Sequence, residues 1–265
     1  MRVAGEETAL REEVARLTRE LESLQHKLHE ARSELGRQEL ASGRNERQLE
    51  RYAADLRETF KQERSRSQQL RRSYMATVRA LSNAVEARDA YTGKHAERVT
   101  AYGIEIARAL GIRSAELAEL EFGFLLHDIG KLAIADAILF KPGPLTDEER
   151  ALMARHPLAG AEIVGGIEFL AQAAPVIRSH HERWDGLGYP DGLAGAEIPL
   201  AARVFSVADV LDALTTDRPY RPASSLAVAR EMISTQAGRQ FDPQVVAAFN
   251  TIPDQTFVHI RTEIG

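Results

Sequence analysis

Phe122-Gly123-Phe124-Leu125-Leu126-His127-Asp128-Ile129-Gly130-Lys131 is the stretch whose reading decides the rest of the chain. An apolar run ends in an adjacent imidazole and carboxylate, two groups that rarely enter a core unless paired or bound to a metal. Standing alone, the pair reads as a helix end, with Asp128 capping the next turn and Gly130 stopping the helix. It does not stand alone. His95, His156, His180, His181 and Asp209 lie in similarly apolar or glycine-rich surroundings.

The whole chain sets the limits. Its 265 residues, 44% hydrophobic and 28% charged, describe one or two ordinary domains able to bury a core. A net charge of −5 argues against a general DNA binder. With no cysteine, disulfides and thiolate catalysis are excluded. No apolar run is long enough for a membrane span and the N-terminus is charged rather than signal-like, so a cytoplasmic protein is expected.

Outward toward the N-terminus, residues 1–72 contain no proline and are dense in Glu, Arg, Leu and Gln. Leu10, Leu17, Leu24 and Ala31 form one seven-residue series; Val14, Leu21, Leu28, Leu35, Leu49 and Leu56 form another, with Ser42 in its gap. These are the d and a positions of a heptad repeat. The alternative is an amphipathic helix lying on the globular domain, but the narrow two-in-seven stripe favours a partner helix, and a parallel homodimer is the simplest partner. Gly36 to Asn45 is the weak place, where a stutter, bend or break is expected. His26 and His29 fall on solvent-facing positions and are not ligands.

From residue 73 to 265 the apolar faces broaden and the expectation is an all-α bundle. Helices are read over Met75 to Asp89, Gly93 to Leu110, Ser114 to Asp128, 147–164 with a break near His156-Pro157, Phe169 to Arg183, Pro199 to Thr215, 225–236 and 243–251. Thr146 begins an acidic helix start. Trp184 to Gly192 is a glycine-rich loop of the kind that serves binding. Thr256 to Ile260 alternates and reads as a short extended tail.

Five imidazoles and two carboxylates, without a thiolate, suit Mn, Fe, Zn or Ni rather than a soft metal. Their number exceeds one tetrahedral site, so two ions are the natural count. Paired metals are a recurring device for phosphoester hydrolysis.

At this point a family resemblance enters. Asp89, Gly93, Lys94, His95, Arg98 and Val99, then His127 to Lys131, His156-Pro157, and His180, His181, Glu182, Asp185, Gly186, Gly188, Tyr189 and Pro190 resemble the HD-GYP family. So do Val207, Ala208, Asp209, Asp212, Ala213, Leu214, Thr215, Asp217, Arg218, Pro219, Tyr220 and Arg221. This branch of the HD phosphohydrolases consists of cyclic di-GMP phosphodiesterases, and the likeness runs from about residue 74 to 252. It implies an HD-type helical bundle after the coiled coil, with His95, His127, Asp128, His156, His180, His181 and Asp209 as metal ligands and Asp128 as the bridge. His127, Asp128 and Lys131 would be the catalytic group. Lys131, Tyr189, Arg218 and Arg221 would contact substrate.

Some members carry a glutamate four residues before the first histidine and bind a third metal; Tyr91 stands there, so two divalent transition-metal ions, Fe or Mn or similar, are expected. Gly238 to Pro243 resembles the family's late helix-capping segment. The resemblance further implies hydrolysis of cyclic di-GMP to pGpG and onward to GMP, in bacterial second-messenger signalling. Two alternatives stay open: another 3′,3′-cyclic dinucleotide as substrate, or a low-turnover cyclic di-GMP receptor. An upstream sensor or a cyclic di-GMP synthase is the expected partner besides the homodimer.

Overall fold

The computed structural model of the protein describes residues 2–88, 94–217 and 222–264. The chain divides into two units, Met1–Leu70 and Arg71–Gly265. Among the described residues there is no strand, only two isolated bridge pairs, Asp185 with Ala194 and Ala237 with Phe241. Among the described residues no helix is long and apolar enough to cross a membrane.

The first unit is helix throughout, the leading part of α1 (Arg2–Glu86). Gly36 to Asn45 does not break it. Two glycines cost about 1 kcal/mol each against alanine, too little to interrupt a helix flanked by Glu, Gln, Arg and Leu. Leu21, Leu24, Leu28, Leu35, Leu49 and Leu56 are all exposed. The helix expected to start at Met75 is the end of α1 rather than a separate element.

The second unit stacks α2 (His95–Ala109), α3 (Ser114–Leu125) and α8 (Leu200–Thr215) around Tyr102, Phe124, Phe205 and Leu211. The helices α9 (Leu226–Thr235), α10 (Pro243–Thr251) and α11 (Asp254–Ile264) close that core with Ile233, Phe249 and Phe257. A second apolar cluster joins the end of α1 to α3, α6 (His156–Gly165) and α7 (Ala174–Ser179) through Val78, Val85, Leu126, Val164 and Ile177. Ser82 ties α1 to the C-terminal end of α3 by donating to the Leu125 carbonyl at 2.7 Å.

Between them, α4 (Asp136–Leu139) and α5 (Asp147–Met153) form a short excursion. The acidic helix start at Thr146 is a capping box with Glu149, and the break at His156-Pro157 separates α5 from α6.

Three boundaries differ from expectation. The helix read as Ser114 to Asp128 stops at Leu125, so His127 and Asp128 sit in the joint before a 3-10 turn, Ile129–Ala133. Gly130 therefore does not stop the helix; it lies inside that turn against α6. The helix read over Phe169 to Arg183 is a 3-10 turn, Glu168–Leu170, and the shorter α7, which carries Pro175 in its first turn. Thr256 to Ile260 is helical, within α11. Phe257, Ile260 and Ile264 recur at helical spacing, and Phe257 meets the Tyr102 ring edge-on at 5.6 Å.

Candidate metal centre

Three of the histidines, His127, His156 and His180, are aimed by a common local device. His127 Nδ1 lies 2.8 Å from the Phe124 carbonyl, His156 Nδ1 2.9 Å from that of Met153, and His180 Nδ1 2.7 Å from that of Ile177. A carbonyl can only accept, so each Nδ1 carries the proton and each Nε2 is left as a bare donor for the interior. The bond always runs back three residues, from a ring just past a helical turn to a carbonyl that the helix leaves free.

The bare nitrogens converge on Asp128. Its Oδ1 is 3.3 Å from His156 Nε2 and 4.0 Å from His180 Nε2; its Oδ2 is 3.1 Å from His127 Nε2 and 2.9 Å from Lys131 Nζ. His181 completes a cluster with His156 and His180 whose ligand atoms all lie within 4.8 Å of one another. On the other side His95 Nε2 stands 3.4 Å from Asp209 Oδ1, and the His95 and His127 rings are 5.6 Å apart. A cavity of about 170 Å³ opens over His95, His127, Asp128, Lys131, His181 and Asp209. All seven expected ligands thus share one place.

The electrostatics suit a cation. Burial pushes His180 well below its usual range, reinforced by His181, His127 and His156. Burial, then His156, takes His181 down to about 3. Both rings are neutral at pH 7. Enclosure alone would raise the Asp128 carboxyl, but the facing His127 ring and the Lys131 charge hold it well below the usual carboxylate range.

The sharpest feature is His156 Nε2 against His180 Nε2 at 3.2 Å. With both Nδ1 atoms protonated, two lone pairs face each other, an arrangement that a shared cation would satisfy. Ligand atoms of one ion with metal–nitrogen bonds near 2.1 Å lie roughly 3.0–3.4 Å apart. The donor set fits a divalent metal.

Substrate-side residues divide. Lys131 lines the cavity. Tyr189 packs its ring on His181 at 4.7 Å and shares with it a second hollow of about 200 Å³, also lined by Arg183, Ser206 and Gln240. Tyr91, Arg218 and Arg221 lie outside the described residues.

Several residues that sequence reasoning passed over shape the centre. Glu86 accepts from the Lys94 and Ala96 amides at 3.0 and 2.6 Å, pinning the start of α2 where His95 sits. Glu182, buried, accepts from the amides of Asp191, Gly192 and Leu193 at 2.7, 3.1 and 3.1 Å and so ties the glycine-rich loop to the histidine pair. Gly188 lies against Glu182 itself, where an added Cβ would meet the Glu182 Cα at 2.5 Å. Asp212 and Arg98 are also buried here. The signal for Glu182, Asp212 and Arg98 was adjacency: each lies one to three residues from a histidine or aspartate of the site.

The HD domain family model matches residues 79–245. A cyclic di-GMP phosphodiesterase response regulator of Xanthomonas campestris is 44% identical over 174 residues, covering 65% of this chain and 46% of that protein. A 3′3′-cGAMP-specific phosphodiesterase of Vibrio cholerae is 38% identical over 197 residues, 74% of this chain and 38% of that one. The chain spans less than half the length of either relative. Among solved structures, a cyclic GMP-AMP specific phosphodiesterase of V. cholerae superposes with a TM-score of 0.54 at 22% identity, over 70% of this chain and 50% of its own; that likeness speaks for the fold.

Proposed function

This chain belongs to the HD domain family, in its HD-GYP branch, and from that premise we propose that it hydrolyses cyclic di-GMP with two divalent metal ions. His95, His127, Asp128, His156, His180, His181 and Asp209 would hold them. The observation that carries this reading is the pair of bare nitrogens of His156 and His180, 3.2 Å apart beside an ionised Asp128. Two ions rather than one are supported by Asp128, whose oxygens face different donors: Oδ1 toward His156 and His180, Oδ2 toward His127. When bound, such ions supply Lewis acidity and a water-derived nucleophile at neutral pH.

The chain's own groups do the rest. The Nδ1 bonds keep the His95, His127, His156 and His180 rings turned inward, so these rings need no reorganisation at the moment of reaction. Lys131, 2.9 Å from Asp128 Oδ2, holds a positive charge at the cavity edge where a phosphoryl oxygen would lie. Tyr189 and the hollow beyond it offer a wall for a nucleobase. The exposed leucines of the first unit support a parallel homodimeric coiled coil as a dimerisation and signalling segment.

The test is purified chain loaded with Mn²⁺, metal counted, and cyclic di-GMP turnover followed by chromatography. Linear product, with loss of about a thousandfold or more in Asp128→Ala, is expected. A relative named as specific for 3′3′-cGAMP, 38% identical, makes that dinucleotide the second substrate to compare. Full metal occupancy without turnover of either would refute the catalytic reading and leave a receptor.

A further inference from the structure

We propose that Asp212 is a positioning residue of the metal centre, fixing His95 with its proton on Nδ1 and its Nε2 bare toward Asp209. The inference rests on the metal-ion reading above. The two aspartates lie three residues apart on α8, one helical turn. Asp209 faces His95 Nε2 at 3.4 Å, and Asp212 faces the opposite ring nitrogen, Nδ1, at 2.8 Å. His127, His156 and His180 each set Nδ1 against the carbonyl three residues back, whereas His95 sets it against a carboxylate. His95 is the first residue of α2, and its Nδ1 is held by a side chain from another helix rather than by a backbone carbonyl.

Arg98 makes the arrangement directional. Its Nε donates to Asp212 Oδ1 at 2.7 Å and its Nη2 to Oδ2 at 3.1 Å. Oδ2 therefore accepts from both His95 and Arg98, inside a pocket where Asp212 is 2% exposed. Converting Asp212 to asparagine keeps the shape and changes the logic. A single amide oxygen cannot serve both the Oδ1 and Oδ2 positions: placed at Oδ1, where Arg98 Nε and the Thr216 hydroxyl donate, it turns the amide NH₂ toward His95. A donor there forces His95 to accept at Nδ1 and moves its proton to Nε2, the nitrogen that would ligate. The ring stays in place in the wrong tautomer.

The experiment uses ¹⁵N-histidine-labelled full chain, metal-free, in mildly alkaline buffer, with long-range proton–nitrogen correlation spectra. Wild type is expected to show His95 protonated on Nδ1, and Asp212→Asn on Nε2. Mn²⁺ titration should show the affinity of one of the two ions weakened about 10–100-fold in the variant, the other unchanged. An Nε2-protonated His95 in metal-free wild type would overturn the proposal with no variant needing to fold. So would Asp212→Asn retaining both the wild-type tautomer and both ions. If wild type binds fewer than two ions, the two-metal reading fails, and the tautomer spectra still decide the role of Asp212.

Discussion

Gly130→Ala is the substitution whose effect follows most directly from the geometry. A Cβ at position 130 would sit 1.8 Å from the His156 carbonyl oxygen and 2.5 Å from the Gly160 amide nitrogen, both backbone atoms that no rotamer change can move. The 3-10 turn that follows Asp128 and the helix carrying His156 must part by about 1.2 Å before the methyl clears 3.0 Å. Forcing extra volume into a packed contact costs typically 1–3 kcal/mol, and with rigid partners on both sides the upper end applies. In a unit of this size that lowers the melting midpoint by about 6–12 °C. The same displacement pulls Asp128 Oδ1 away from His156 Nε2, now 3.3 Å apart. Misplacement of about 1 Å in a reacting group costs on the order of 100-fold in rate. The assay is differential scanning calorimetry of the metal-free protein, with metal content and turnover on the loaded one. Gly165→Ala is the control, since a Cβ there meets nothing within 4 Å on the same helix. An alanine at 130 that melts with wild type and keeps its metal would refute the reasoning.

Acid should destabilise the metal-free protein through its histidines. His181 has a pKa of about 3 when folded against 6.5 when free, so between these values the unfolded chain binds the extra proton. Stability is then complete above pH 6.5 and falls as the pH drops through that window, by about 1.4 kcal/mol per unit for one ring; urea midpoints flat from pH 7 to 5 would contradict it. Glu182→Gln replaces one of two accepting oxygens by a donor facing the loop amides, which should cost about 1–3 kcal/mol and speed hydrogen exchange across 185–194. Unchanged exchange there would remove Glu182 as the anchor of the Tyr189 loop. Leu24→Lys with Leu28→Lys places charge at adjacent d and a positions and should yield monomers in sedimentation; a persistent dimer would place the association elsewhere.

The site was legible because ligand chemistry is written in residue type. Imidazoles and carboxylates in apolar settings announce themselves wherever the chain carries them, and HD motif order did the rest. Local structure was less legible where short-range signals were degenerate. Thr256 to Ile260 alternates over five residues, which a helix with Phe257, Ile260 and Ile264 on one face also satisfies. Gly130 looked like a helix stop, yet its requirement is tertiary, the His156 carbonyl lying where a side chain would go. No local pattern records a contact with a residue 26 positions away. Asp212 and Glu182 were hidden for a related reason: beside the ligands they read as neighbours, and only the fold shows which nitrogen or amide each one holds.

The manner in which the rings are held bears on how such a centre arises. Three histidines use the carbonyl three residues back, a partner that any helix end supplies without a further side chain. A histidine placed just past a helical turn therefore comes with its tautomer already set. His95, the first residue of α2, pairs its Nδ1 instead with an acceptor imported from another helix. That acceptor is a buried carboxylate, which needs a cation, and Arg98 is it. The partner of Nδ1 thus dictates the size of the supporting cast: none for the three rings that use a carbonyl, two charged residues for His95. Substitutions that weaken the centre without touching a ligand should accordingly concentrate around His95.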